Sequence, residues 1–279
     1  MNSFELNWKA YDGLDLFGRG WEPIQRMPKA VVCCVHGLGE HSGRYAHVAE
    51  FFTGAGYAMM SFDLRGHGRS GGRRGHISSI EDFLQDIDSL LKQARARYPG
   101  LPMFLYGHSL GSVLVTYYCL QRKPELKGVV ATGLALHNAL ELQTAKVALI
   151  KLLGSILPNL TLPSELEVKA LARDQAVVDA YVNDPLVHDK VTASFGKTML
   201  PVTRWTLEHA AEFPLPLLLM HGREDRIAFP SSSVEFAAPL KDKCTLMLWD
   251  GLYHEVHNEP ERGDVLNAMV IWMDARLAE

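Results

Sequence analysis

The strongest constraint on the fold is a short glycine-rich corner between an apolar run and a helical segment. Residues 103–106 (MFLY) have the composition of a buried strand, and residues 112–122 follow a helical pattern. Only GHSLG (residues 107–111) separates them. A chain that changes from strand to helix over five residues must form a tight, strained turn, with Ser109 at its tip.

Two glycines flank Ser109 in this corner. We expect Gly107 and Gly111 there because a Cβ atom at either position would collide with the neighbouring strand or helix. With 23 glycines in 279 residues, the pattern Gly-x-Ser-x-Gly is a weak signal by itself. The strand before it and the helix after it are the context that a nucleophile elbow requires, so we predict that Ser109 is a nucleophile.

The rest of the chain alternates apolar runs with amphipathic segments, at a length that suits one large α/β domain. Strands are predicted at residues 4–9, 14–19, 30–35, 57–63, 103–106, 127–132, 215–220 and 245–249, and helices at 45–53, 80–97, 112–122, 231–240 and from about 261. This alternation predicts a mostly parallel central sheet with helices on both faces. Residues 135–205 interrupt it with helical segments and no clear strand, which predicts a core of residues 1–134 and 206–279 with an inserted helical cap.

Partners for Ser109 are expected in the loops that follow the late strands. A serine hydroxyl needs a base, and the base needs an orienting carboxylate, before it attacks a substrate at neutral pH. Such groups lie at the carboxyl ends of strands in open α/β sheets. Asp225 follows the strand predicted at 215–220, and His254 follows the strand predicted at 245–249. The order Ser109, Asp225, His254 is the nucleophile–acid–base order of α/β hydrolases, and it predicts that fold and a catalytic triad.

Neighbouring residues offer alternatives for two of these roles. Glu224 is the rival acid, His257 is the rival base, and Asp225 could instead be a turn or capping residue. Three further histidines next to predicted strand ends are interpreted as supporting or packing residues: His36, His108 and His221.

An oxyanion hole is expected from two backbone N–H groups near Ser109. The Leu110 N–H lies at the start of the predicted helix and is aimed at a developing oxyanion. The loop HGLG (residues 36–39), after the strand at 30–35, would supply the second donor, for which we select the Leu38 N–H. Each such donor typically contributes about 10²–10³ in turnover.

Composition limits the other classes of function. The net charge of −4 gives no reason to expect nucleic acid, and the local cluster of Arg65, Arg69, Arg73 and Arg74 is interpreted as a solvated loop. The four cysteines lack zinc or disulfide spacing, which indicates buried thiols in a reducing compartment. Neither a signal-peptide pattern nor a bilayer-length apolar run is present, so a cytoplasmic location is expected. The predicted chemistry requires no metal and no organic cofactor.

Several longer stretches are more specific than the elbow. They are VHGLGEHSGRY (residues 35–45), FDLRGHGRSGG (62–72), GHSLGS (107–112), HGREDRI (221–227), YHEVHNE (253–259) and, in the insertion, NDPLV (183–187). Together they resemble the monoacylglycerol lipase and lysophospholipase group of serine hydrolases. The resemblance implies hydrolysis of a monoacylglycerol to a fatty acid and glycerol. Alternatives are a lysophospholipase, a broad short- or medium-chain carboxylesterase, an aminopeptidase-type amidase that would need an acidic pocket for an amine, and a non-catalytic lipid-binding relative.

The resemblance also implies where the substrate lies. Glu40, Arg44 and His257 would form a polar pocket for the glycerol end, although an ion pair that braces the loop is an equally open interpretation of them. Residues 140–157 of the predicted cap are rich in Leu, Ile and Val with few charges. If they cover the site, their inner side would line an acyl channel and their outer side would contact a membrane surface or micelle transiently. An ordinary cap helix packed on the sheet is the alternative.

Overall fold

A computed structural model describes residues 1–24, 26–137, 150 and 152–279. Within these residues the strands are β1 (Asn2–Lys9), β2 (Asp15–Glu22), β3 (Val31–Val35), β4 (Ala58–Phe62), β5 (Met103–His108), β6 (Gly128–Thr132), β7 (Thr161–Pro163), β8 (Lys190–Thr192), β9 (Leu217–Gly222) and β10 (Cys244–Trp249). The helices are α1 (Ala46–Gly54), α2 (Ile80–Arg97), α3 (Leu110–Arg122), α4 (Gln175–Asn183), α5 (Ala193–Glu208), α6 (Ser231–Ala237) and α7 (Arg262–Leu277). Short 3-10 helices occur at Ser42–Tyr45, Val168–Ala170, Ala210–Glu212 and Ala238–Lys243.

Eight of the strands form one sheet in the order β1-β2-β4-β3-β5-β6-β9-β10. The pairs β1–β2 and β2–β4 are antiparallel, and every later pair is parallel. Helices cover both faces, with α2 and α3 packed in one apolar cluster and α1 and α7 in the other. The predicted fold class is confirmed.

The central strand β3 shows why helices must pack on both faces of the sheet. All five of its residues are buried. Val31, Cys33 and Val35 lie in one apolar cluster, whereas Val32 and Cys34 lie in the other. Successive side chains of a strand point to opposite faces, so an unbroken apolar run is stable only between two helical layers.

The strand order places the loops of interest at one edge of the sheet. The order changes direction between β3 and β5, which is the position where open α/β sheets form a crevice beyond the carboxyl ends of their strands. Ser109 follows β5, the loop with Leu38 follows β3, and the loops with Asp225 and His254 follow β9 and β10. Parallel pairing therefore brings together residues that are far apart in the sequence.

The insertion differs from its predicted structure in one respect. Strands β7 and β8 pair antiparallel across three residues each, where no strand is expected from the sequence. Three residues are too few for a detectable alternation, and Pro163 further obscures the pattern. Residue 150 and residues 152–156 are helical, while residues 140–149 and 151 of the predicted apolar helix lie outside the described residues.

The interpretation of the arginine cluster as a solvated loop is wrong for Arg65. Its side chain is buried and forms a two-point ion pair with Asp86, with Nε–Oδ2 and Nη2–Oδ1 distances of 2.6 and 2.8 Å. Asp12 accepts a further hydrogen bond from the same guanidinium at 3.0 Å. Asp86 looks like a surface position of an amphipathic helix, so only the packing of α2 against this loop reveals the pair.

Among the residues that the structure describes, no helix is both long enough and apolar enough to span a membrane.

Candidate active site

Ser109 occupies a strained position between β5 and α3. Its φ and ψ angles are 53° and −118°, in the region that side chains with a Cβ rarely adopt. The Ser109 N–H donates to the Thr132 carbonyl at the end of the neighbouring strand β6, at 3.0 Å. The sheet therefore holds the strained turn in place, and the hydroxyl faces the crevice rather than the core.

The two glycines of the corner are required by close packing, as predicted. A Cβ atom on Gly107 would overlap the carbonyl of Gly111 in α3, and a Cβ atom on Gly111 would overlap the carbonyl of Val35 in β3. The helix can leave the sheet this sharply only because both positions lack a side chain.

Ser109, His254 and Asp225 form a continuous chain of hydrogen bonds. The His254 Nε2 atom lies 2.8 Å from the Ser109 hydroxyl, and its Nδ1 atom lies 2.7 Å from Asp225 Oδ2. The side chains of His254 and Asp225 are buried, and Ser109 is half-buried. This is the geometry that a serine nucleophile, its base and an orienting carboxylate require.

The loop after β9 prepares the Asp225 carboxylate for this contact. Its Oδ1 atom accepts the backbone N–H groups of Ile227 and Ala228 at 2.8 and 3.0 Å. Burial opposes ionisation of this group, but the charge of His254 and the hydrogen bonds from His221 and His254 outweigh burial and hold the Asp225 pKa well below its usual range. Asp225 is therefore an anion at neutral pH.

The electrostatic surroundings of His254 favour its protonated form. Burial alone lowers the pKa of this imidazole, but the charge of Asp225 and the hydrogen bond to it raise the pKa above its usual value, with further contributions from Glu255 and Glu40. A proton taken from Ser109 would consequently be held by a group that the site stabilises in its charged state.

The loop selected for the oxyanion hole is braced by Glu40. The carboxylate Oε1 accepts the Gly37 N–H at 2.6 Å and the Tyr45 hydroxyl at 2.8 Å. Leu38 and Leu110 both line the cavity in front of Ser109. Their roles as N–H donors to an oxyanion remain predictions.

Arg44 joins two carboxylates behind this loop. Its guanidinium lies 2.6 Å from Glu40 Oε2 and makes two hydrogen bonds to Glu255, at 2.7 and 2.8 Å. Glu255 is buried, and burial opposes its ionisation, but Arg44 outweighs burial and lowers the pKa of this carboxyl below its usual range. The structure thus contains the ion pair that was one of the two interpretations of Glu40 and Arg44.

The three residues of the implied glycerol pocket occupy different depths. Glu40 lines the cavity, together with Glu255 and Tyr181, which the sequence analysis did not select. Arg44 lies directly behind Glu40. His257 is fully buried, and its ring stacks on Tyr45 with centroids 5.2 Å apart. Glu255 could have been found from its place beside His254, whereas Tyr181 carries no local signal.

The insertion makes backbone contacts with the loops that carry the site. The His188 N–H donates to the Gly39 carbonyl, in the loop after β3 that contains Leu38, at 2.9 Å. The Glu255 N–H donates to the Leu171 carbonyl at 2.7 Å. Residues of the insertion therefore help to place the loop on each side of Ser109.

A mostly apolar cavity of about 590 Å³ opens in front of Ser109. The core contributes Leu38, Leu110 and Val113, and the insertion contributes Leu162, Phe195 and Met199. Ser109, His254, Glu40 and Glu255 line the cavity as well, and Glu165, Glu167 and Arg226 are further charged residues of the lining. Across the described ranges, no three His, Cys, Asp or Glu side chains form a group that could hold a metal ion.

The strand order, the elbow and the hydrogen-bonded Ser–His–Asp chain define this protein as an α/β hydrolase. The chain belongs to the Hydrolase_4 family (serine aminopeptidase, S33), whose model matches residues 26–261. The similarity to the monoacylglycerol lipase and lysophospholipase group is confirmed by the relatives, and it makes the chain a carboxylic ester hydrolase.

Three relatives illustrate the extent of the similarity. A monoacylglycerol lipase of Mycolicibacterium smegmatis is 36% identical over 98% of this chain and 98% of its own length. The crystal structure of a Paleococcus ferrophilus monoacylglycerol lipase matches with a TM-score of 0.83 and 34% identity, over 99% of this chain and 100% of that one. An abhydrolase domain-containing protein of Dictyostelium discoideum is 36% identical over 99% of this chain, which spans only 30% of that longer protein.

Proposed function

We propose that this protein hydrolyses monoacylglycerols to a fatty acid and glycerol, with Ser109 as nucleophile, His254 as base and Asp225 as orienting carboxylate. The observation that carries the proposal is the hydrogen-bonded chain of these three side chains beside a mostly apolar cavity, which Ser109 and His254 line. A monoester of a long fatty acid has the matching shape, with one apolar tail and one small polar end. The names of the relatives in Mycolicibacterium smegmatis and Paleococcus ferrophilus support the same substrate.

Acylation starts when the Ser109 oxygen attacks the ester carbonyl carbon. His254 Nε2 takes the hydroxyl proton, and Asp225 stabilises the resulting imidazolium. The carbonyl oxygen becomes an oxyanion that accepts the N–H groups of Leu38 and Leu110. When this intermediate collapses, the bond to the glycerol oxygen breaks, and the departing oxygen takes the proton from His254.

Deacylation repeats these steps with water. A water molecule in the place of glycerol gives a proton to His254 and attacks the acyl carbon. The second oxyanion is held by the same two N–H groups. Its collapse releases the fatty acid, and Ser109 recovers its proton from His254.

The two parts of the substrate are assigned to different residues around the cavity. The acyl chain lies among apolar side chains such as Leu162, Phe195 and Met199, where its burial stabilises the complex. The glycerol end lies near Glu40, with Arg44 and His257 behind it. We also assign residues 135–205 to a cap, although α5 extends three residues beyond the 205 boundary.

An aminopeptidase-type activity is less well supported by the same residues. It would need a free carboxylate to bind the substrate amine. Both oxygens of Glu40 already accept hydrogen bonds, from Gly37, Tyr45 and Arg44. Both oxygens of Glu255 accept hydrogen bonds from Arg44. Glu40 and Glu255 are therefore less suited to binding an ammonium group than unpaired carboxylates would be.

A substrate panel tests the proposed function. At fixed enzyme concentration we expect kcat/KM for long-chain monoacylglycerols to exceed that for aminoacyl amides by at least about 10²-fold, because a polar group without a matching partner loses this much. Diacylglycerols, triacylglycerols and lysophospholipids are measured in parallel by fatty-acid release. Faster turnover of aminoacyl amides would contradict the proposal, and faster turnover of lysophospholipids would replace the substrate while keeping the mechanism.

The pH profile of acylation should have an acid limb. His254 must be neutral to accept the Ser109 proton, and its pKa is raised. Activity should therefore fall as the pH drops through a midpoint above the usual histidine value of about 6.5, with a slope approaching tenfold per unit. Single-turnover release of p-nitrophenol from an acyl ester measures this step. A rate that stays constant down to about pH 5 would exclude a histidine base.

A membrane contact through the insertion is the remaining part of the proposal. Leu152, Ile156, Leu157 and Leu160 are exposed, whereas Leu153 of the same segment lines the cavity. An exposed apolar surface on a segment that also lines the cavity would let a lipid substrate pass directly from a bilayer. We expect Ile156→Ser with Leu157→Ser to reduce co-flotation with phosphatidylcholine vesicles at least about threefold. Val234→Ser, at an exposed apolar position in α6, is the matched control; equal binding by both proteins would contradict the contact.

A further inference from the structure

His221 makes a contact with the site that the triad does not require. It lies near the end of β9, and its side chain is fully buried. Its Nε2 atom lies 3.0 Å from Asp225 Oδ2 and 3.0 Å from the Ala228 carbonyl. Its Nδ1 atom lies 2.7 Å from the Ser233 hydroxyl in α6.

These partners determine which nitrogen carries the proton. A carbonyl oxygen can only accept a hydrogen bond, so the Nε2 atom that faces Ala228 must be an N–H donor. In the neutral imidazole the Nδ1 atom is then an acceptor, and Ser233 donates its hydroxyl hydrogen to it. His221 therefore directs an N–H group at Asp225 without needing a charge of its own.

Asp225 Oδ2 consequently accepts hydrogen bonds from two imidazoles. His254 Nδ1 approaches it at 2.7 Å and His221 Nε2 at 3.0 Å, while the backbone of Ile227 and Ala228 occupies Oδ1. Four donors thus hold one carboxylate that has almost no exposure to water. Neither of its oxygens can rotate away from His254 without losing a buried hydrogen bond.

We propose that His221 is a positioning residue for the reaction, and that its Nε2–H both orients Asp225 Oδ2 toward His254 and limits the negative charge that this oxygen presents to His254. The inference rests on the proposed function, because it assigns His221 a role in a reaction that Ser109, His254 and Asp225 perform. Ser233 supports it by keeping His221 in the tautomer that donates to Asp225.

The proposal predicts the direction in which the acid limb moves. Without the His221 donor, Asp225 interacts more strongly with the His254 imidazolium, and the pKa of His254 rises further. The other titratable groups around His254 are unchanged in a variant at His221, so they do not shift the acid limb of the pH profile. The titratable side chains that face it are Asp225, Glu255, Glu40, His108 and His257.

Two substitutions of similar polarity separate positioning from packing. In His221→Gln the side-chain amide nitrogen is as many bonds from the Cβ atom as Nε2 is in histidine, so a donor to Asp225 is retained. In His221→Asn the amide nitrogen corresponds to Nδ1, so it faces Ser233 and the donor to Asp225 is lost. We expect the Gln variant to keep kcat within about threefold of wild type with an unmoved acid limb. The Asn variant should lose about tenfold in kcat, the effect of one hydrogen bond to a charged group, and its limb should move to higher pH.

The measurements are pre-steady-state p-nitrophenyl ester kinetics against pH, normalised to the amount of enzyme that reacts with a fluorophosphonate. Equal kcat and equal limbs in wild type, Gln and Asn proteins would overturn the proposal, and so would equal losses in both variants with unmoved limbs. If the Asn variant does not fold, His221→Leu replaces it. If neither of these variants folds, loss of activity in the folded Gln variant would by itself contradict the positioning role of His221. A wild-type protein without esterase activity would instead reject the proposed function, so the two failures are distinguishable.

Discussion

Replacing Ser109 by alanine should lower ester turnover at least about 10³-fold. The change removes the attacking oxygen and leaves His254 without the group from which it takes a proton. The residual rate would come from substrate binding and the oxyanion hole. Turnover of a p-nitrophenyl ester and of a long-chain monoacylglycerol measures the loss.

The Ser109→Ala protein should also remain folded. Alanine keeps the Cβ atom, so the strained backbone at φ 53° is neither relieved nor worsened. Its urea midpoint should match wild type, and a fluorophosphonate should no longer label it. Ser78→Ala, at an exposed serine, is the control and should keep both labelling and turnover. Esterase activity near the wild-type level in Ser109→Ala would remove the assignment of the nucleophile.

Asp225→Asn should have an effect of similar size, about 10⁴-fold in kcat. Two backbone N–H groups, of Ile227 and Ala228, face the Oδ1 position, against the single N–H of His221 at Oδ2, so the amide oxygen of asparagine takes the Oδ1 position and its nitrogen the Oδ2 position. There it faces His254 Nδ1 and donates to it. The imidazole is then held in the tautomer with a proton on Nε2, which cannot accept the proton of Ser109.

The neighbouring carboxylate supplies the control for this experiment. Glu224 is the rival acid from the sequence, and its side chain is exposed. Glu224→Gln should keep kcat and its pH profile near wild type, since the Glu224 side chain is exposed and it is Asp225 that contacts His254. A large loss in Glu224→Gln with little loss in Asp225→Asn would reverse the assignment. Circular dichroism spectra and thermal melts of both variants show whether the proteins compared are equally folded.

Much of the fold was predictable because its signals are local. The elbow needs two glycines around a serine; β3 is a short unbroken apolar run and β5 starts with one, so length and composition indicate both strands. The helix α2 has the predicted bounds because Ser79 and Asp82 form a capping box at its start. In contrast, β7 and β8 are three-residue strands with no periodicity to detect, and only their pairing across the insertion makes them strands.

For the site, Ser109, Asp225 and His254 could be selected without the structure, because each of them follows a strand that the sequence predicts. The sequence marked His221 only as a supporting or packing residue, and its contact with Asp225 could not be found in this way. His221 has the same sequence context as any histidine at the end of a strand, and its role depends on where Ser233 and Ala228 lie after folding. Glu255 could be noticed beside His254, but its pairing with Arg44, more than two hundred residues away in the sequence, depends on folding.

The amino-acid sequence by itself thus determined the alternating α/β architecture, the corner that strains Ser109 and the membership of a hydrolase group. Each of these depends on residue types at short spacing, which act before distant parts of the chain meet. The tertiary structure decided the burial of Arg65, the depth of His257 and the two imidazoles that share Asp225. These depend on long-range packing, because the ionisation and hydrogen bonds of a buried group are set by the neighbours that folding brings to it.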